Sequence, residues 1–96
     1  MTNCYGRFDV AGKKIDTYFA GKTHTLQECT FVPRGTSEGE GYLIGVVSNY
    51  AEMRSELVIA DAQRLSEGDV ARVILPFRLN QQVHCVWANA SELALA

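Results

Sequence analysis

Short apolar runs separated by polar, glycine-containing breaks set the rhythm of this chain. Residues 5–10 (YGRFDV) run into the turn signal AGKK and continue as residues 15–20 (IDTYFA), a pattern that predicts a hairpin. GKTHT reads as a polar loop, and residues 29–33 (CTFVP) read as a third short strand that Pro33 ends. The glycine-rich stretch RGTSEGEG predicts a surface turn. After it, residues 42–47 (YLIGVV) are continuously apolar, as expected of a strand covered on both faces. SNYAEMRS is the next loop, ELVIADA (56–62) the next strand, and QRLSEGD turns the chain into VARVILP (70–76). A last strand is expected over residues 83–88 (VHCVWA), before a tail, SELALA, long enough only for a turn of helix. Strands at short regular spacing, with turn chemistry between them and no long helical pattern, predict an all-β antiparallel meander. Sandwiches, barrels and propeller blades share that pattern, and periodicity does not separate them.

Composition narrows the class. A chain of 96 residues makes one domain, and 47% hydrophobic with 21% charged residues is ordinary for a globular protein. A net charge of -2, with basic residues such as Lys13, Lys22, Arg54 and Arg72 scattered, gives no footprint for nucleic acid or an anionic membrane. The first residues lack the apolar run of a signal peptide, and no stretch is long enough to cross a bilayer. Cys4, Cys29 and Cys85 are an odd count without C-x-x-C spacing; they read as reduced thiols in a cytoplasmic protein.

Candidate chemistry begins with His84, set in the apolar stretch LNQQVHCVW. By itself it reads as a half-buried histidine bonded to a carbonyl, or as a metal ligand, since neutral imidazole is the commonest one. Two histidines in all do not make an ordinary three- or four-ligand site, and His24 falls in the expected loop. Glu28, in LQECTFVPR, precedes an apolar strand and is either solvated or turned inward to a partner. Pairing Glu28 with His84 is chemically apt, because ligating histidines commonly donate their second N–H to a carboxylate. A Cys85–His84 nucleophile pair is disfavoured, since neighbours in a strand point apart. Arg54 and Glu56 read as a solvated turn or a weak edge ion pair, and Tyr42, Tyr50 and Trp87 as core or rim packing. GTSEGEG lacks the lysine and the strand-to-helix setting of a phosphate loop.

Taken in order, QE-x-x-FVPR, GYL, RSEL-x-I-x-DA and VARV-x-LP-x-R ahead of a histidine resemble the carotenoid cleavage oxygenase family, in particular its lignostilbene dioxygenase-like branch. The resemblance runs from about Tyr5 to Trp87. It implies one to two blades of a seven-bladed β-propeller, with residues 1–96 a C-terminal portion of that domain. It also implies a non-haem Fe(II), held by four histidines from different blades, that uses O2 to cleave a carbon–carbon double bond of a carotenoid, apocarotenoid or stilbene. His84 matches the last iron ligand, and Glu28 matches the carboxylate that orients it. The sequence departs from the pattern at Cys29, where proline is usual, and at Cys85 and Val86, where glycine and a short residue are usual. The other three iron histidines have no counterpart here.

Two functions follow as expectations. The first is an enzyme portion, inactive alone, that contributes His84 and Glu28 to the iron site and leaves open strand edges for self-association. The second is a catalytically inactive β-sheet interaction module that keeps only the scaffold.

Overall fold

The computed structural model describes residues 2–81 and 84–94. Two antiparallel sheets form: a hairpin of β1 (Cys4–Asp9) and β2 (Lys14–Phe19), and a four-stranded meander of β3 (His24–Pro33), β4 (Gly41–Asn49), β5 (Arg54–Asp61) and β6 (Asp69–Ile74) in the order β3-β4-β5-β6. The all-β meander expected from the sequence is what forms. Asp9 turns the hairpin by accepting the N–H groups of Ala11 and Gly12 on Oδ1, each at 3.2 Å.

The hairpin lies across one face of the larger sheet. Its Tyr5 and Tyr18, cross-strand partners, stack with ring centroids 6.2 Å apart and bury against Leu26, Val47, Val58, Ala60 and Leu65. Tyr5 sits directly over Gly45, where a Cβ would overlap its hydroxyl, and that hydroxyl donates to the Gln27 carbonyl at 2.6 Å. Glycine at 45 is therefore a steric requirement of this docking. A 3-10 turn, Leu65–Glu67, follows β5, and Asp16 of the hairpin accepts its Leu65 N–H at 2.8 Å and Ser66 N–H at 3.2 Å.

Alternation leaves both outer faces apolar. On the hairpin, Phe8, Ile15 and Phe19 are exposed; on the sheet, Ile44, Val46, Leu57 and Ile59 are only half-buried and Val73 is exposed. Residues 42–47 are thus covered on the hairpin side alone, not on both faces as their continuous apolar run predicts.

Three further expectations need correction. β3 begins at His24, not at Cys29, so His24 belongs to a strand rather than a loop. The strand expected over 83–88 does not form across 84–88; that stretch is irregular and exposed, and Val83 lies outside the described residues. Pattern alone does not make a strand: the ladder needs a partner, and none of the described strands pairs with 84–88. Arg54 and Glu56 are not a solvated turn, since Glu56 is fully buried. The tail does form one turn of helix, Ala90–Leu93, closed by a reciprocal cap between Asn89 and Glu92.

Candidate functional site

Glu28 owes its direction to a break in β3. Leu26 pairs with Val47 and Cys29 with Gly45, so residues 27 and 28 together oppose a single residue of β4, which is a β-bulge. Unbroken alternation would set Glu28 in the row of Leu26, facing the hairpin. The bulge instead gives Cys29 and Phe31 that row and frees Glu28, whose side chain is 45% exposed, to reach the segment after β6.

There its Oε2 accepts the backbone N–H of Cys85 at 2.8 Å and lies 3.3 Å from His84 Nδ1. An ionised carboxylate only accepts, so the second contact takes a proton on Nδ1; in the neutral ring this leaves the lone pair on Nε2. The His84 side chain is 88% exposed and is therefore not the half-buried, carbonyl-bonded histidine that its apolar neighbours suggest. The structure thus brings Glu28 and His84 together. It does not bring His24 to them: that ring lies with its Nε2 4.0 Å from Glu56, at the start of β3. Among the described residues no group of three or more histidine, cysteine, aspartate or glutamate side chains is arranged to hold a metal ion.

Two hollows adjoin the hairpin. The larger, about 450 Å³, lies between the hairpin tip and the 38–39 turn and includes Arg7 and Asp9; neither Glu28 nor His84 lines it. The smaller, about 270 Å³, is more apolar and has Cys29, Phe31 and Leu43 in its wall; neither Glu28 nor His84 lines it.

A polar cluster that sequence reading missed lies inside the fold. Glu56, 0% exposed, accepts from Asn49 Nδ2 at 3.0 Å, Arg54 Nε at 2.6 Å and Arg72 Nη1 at 3.0 Å. Arg72 also donates through Nη2 to Tyr18 Oη at 3.0 Å and Asp69 Oδ1 at 2.9 Å, and the Tyr18 hydroxyl donates to Asp69 at 2.9 Å. Burial acts to raise the Glu56 carboxyl, but the bonds from Asn49 and Arg54 and the charges of Arg72 and Arg54 outweigh it and hold it below the usual range. Asp69 is likewise lowered: burial is overcome by bonds from Arg72 and Tyr18. Tyr18 is pushed up to about 12, chiefly by burial and then by its bond to Asp69. The missed signal was parity: Arg54, Glu56, Val58 and Ala60 alternate along β5, so Glu56 shares the face of two core residues.

Comparison with known proteins identifies the setting. The family model described as retinal pigment epithelial membrane protein matches residues 1–89. The chain is 41% identical over 96 residues to lignostilbene-alpha,beta-dioxygenase isozyme III of Sphingomonas paucimobilis, covering 98% of this chain and 20% of the relative. Among solved structures it matches the lignostilbene dioxygenase of Pseudomonas brassicacearum with a TM-score of 0.84 and 33% identity, over 90% of this chain and 18% of that one. Cobalt-substituted Synechocystis apocarotenoid oxygenase matches with a TM-score of 0.86 and 27% identity, over 92% of this chain and 19% of that one. The chain spans about a fifth of the length of these relatives. Its meander and docked hairpin are accordingly a section of a β-propeller. No helix among the described residues is long and apolar enough to cross a membrane. By sequence match along nearly its whole length, and by fold, the chain belongs to the carotenoid oxygenase family.

Proposed function

We propose that this chain is the C-terminal portion of a non-haem Fe(II)-dependent dioxygenase that cleaves a carbon–carbon double bond of a carotenoid, apocarotenoid or stilbene-type substrate with O2. In this reading His84 is one iron ligand and Glu28 orients it. The contact of His84 Nδ1 with Glu28 Oε2 at 3.3 Å is the observation that carries the proposal. A carboxylate on Nδ1 fixes the tautomer, raises the basicity of the other nitrogen and points a neutral imidazole donor outward, which is the donor type Fe(II) accepts. When bound, the iron supplies activation of O2. This chain's own part is to hold one imidazole in place, and the remaining ligands come from other blades. A hydrophobic polyene or stilbene is the matching substrate class. Reduced thiols at Cys4, Cys29 and Cys85 go with a cytoplasmic site of action, and the open edge of β6 with association to further strands.

Anaerobic titration of the chain with Fe(II), and with Co(II) as a visible probe, tests the assignment. Weak binding that disappears in His84→Ala, with no cleavage of a stilbene by the chain alone, is expected. Tight stoichiometric iron in the His84→Ala variant would remove His84 from the site.

A second reading, a β-sheet interaction module without iron chemistry, is favoured by the exposed Phe8, Ile15 and Phe19 on the outer hairpin face. It requires that metal titration be indifferent to His84→Ala.

A further inference from the structure

Two of the departures from the family pattern around the histidine–carboxylate pair are cysteines, and the fold brings them to the same place. Glu28 is the link. It precedes Cys29 in β3, and its Oε2 accepts the Cys85 N–H at 2.8 Å, so the backbone of residue 85 is tied to the strand that carries Cys29. Cys85 is exposed, whereas Cys29 is half-buried in the row facing the hairpin, opposite Gly45. Burial pushes the Cys29 thiol up, and charge at Glu28 and at Cys85 pushes it the same way. Cys4, the remaining thiol, is on the outer face of the hairpin opposite Phe19.

We propose that Cys29 and Cys85 are a thiol pair that closes into a reversible intramolecular disulfide beside His84. The pairing rests on the Glu28 tie and the bulge, and stands whether or not His84 holds iron. A disulfide needs Cα atoms roughly 4.4–6.8 Å apart. The 84–89 segment is bound into no ladder, so bringing Cys85 to that distance from Cys29 breaks no strand pairing. The oxidant is a small-molecule disulfide such as oxidised glutathione. Exposed Cys85 attacks it first, breaking its S–S bond, forming a mixed disulfide and releasing one small thiol. Cys29 then attacks the Cys85 sulfur, forming the protein disulfide and releasing the second small thiol. Two protein thiols are oxidised, one small disulfide is reduced to two thiols, and each released thiolate takes the proton of the cysteine that displaced it. Thioredoxin-type or dithiol reductants reverse the exchange. In a reducing compartment such a bond is transient, as a regulatory one must be.

The test incubates the folded chain with oxidised glutathione, counts free thiols, and maps peptides without reduction. A peptide linking Cys29 to Cys85, with Cys4 outside the link, should appear and should vanish with dithiothreitol. Cys85→Ser, at an exposed position, should leave Cys29 without an intramolecular link. Recovery of Cys85 only as its glutathione adduct with Cys29 unreacted, or a link that includes Cys4, would overturn the proposal.

Discussion

The carboxylate of Glu56 and the guanidinium of Arg72 meet at 3.0 Å beneath the hydroxyl of Tyr18, and that meeting joins the edge strand β6 to the hairpin through the interior. Removing one partner of a buried pair leaves the other charge unmatched, at a cost of about 3–5 kcal/mol. Arg54 and Asn49 still hold Glu56, so Arg72→Ala is expected at the lower end of that range, read as a lower urea midpoint with unchanged m-value. A cost below about 0.5 kcal/mol, the level of an ordinary surface change, would mean that the cluster is dispensable.

Acid should weaken the fold through the same cluster. Glu56 and Asp69 both sit below their ordinary values when folded, so the unfolded chain takes up protons first as pH falls. Their contribution is complete above the unfolded carboxyl range, about pH 4–5, and is lost as pH falls through the lower folded values. Glu56→Gln is expected to be less stable than the parent at neutral pH and to show a shallower decline on acidification. Unfolding free energies measured at intervals from neutral pH downward give both quantities.

Tyr18 sets the alkaline side. Its folded value of about 12 lies above the ordinary phenol value, so its contribution is present at neutral pH and is lost as pH rises through about 12. Burial pushes the Tyr5 phenol up as well, so tyrosinate absorbance should show late titration from both rings, and Tyr18→Phe should remove one ring's share of it; an unchanged titration curve in that variant would contradict the assignment.

Gly45→Ala should be costly without touching any polar group. The added methyl meets the Tyr5 hydroxyl, and overpacking of this kind costs about 1–3 kcal/mol. In a Tyr5→Phe background the clash is eased, so a double-mutant cycle should return a coupling of at least about 0.5 kcal/mol. Strict additivity would place the strain elsewhere.

Glu28→Ala should separate stability from local order. The side chain is 45% exposed, so unfolding should change by no more than about 0.5 kcal/mol. The Cys85 amide and the His84 ring lose their common acceptor, and their NMR resonances should shift while those of the core stay. Broad shifts across β3 and β4 would instead make Glu28 part of the structural frame.

Most of the fold was legible because strand, turn and register are local: the hairpin and the meander each join neighbours in sequence. The bulge was not. A one-residue slip at 27–28 leaves composition and alternation almost unchanged, yet it decides where Glu28 points. The pairing of Glu28 with His84 was within reach of residue chemistry, since an imidazole and a carboxylate complement one another wherever they meet. The Glu56 cluster was hidden because charge near a turn ordinarily means solvent, and only the strand's parity argued otherwise. The 84–88 stretch misled in the opposite direction, having a strand's residues without a strand's partner.

Every ladder among the described residues connects successive strands, so each sheet can be assembled by closing one short loop at a time. The ties between hairpin and sheet are different in kind: Asp16 to Leu65, Tyr18 to Asp69 and Tyr18 to Arg72 bridge sequence separations of 49, 51 and 54 residues. They carry the large loop-closure cost, and they form only once the turn after β5 and the start of β6 are in place. The slow event of folding is therefore the landing of the first two strands on a sheet made from the chain that follows them. A chain emerging from its N-terminus must hold that hairpin in waiting until Arg72 has been added.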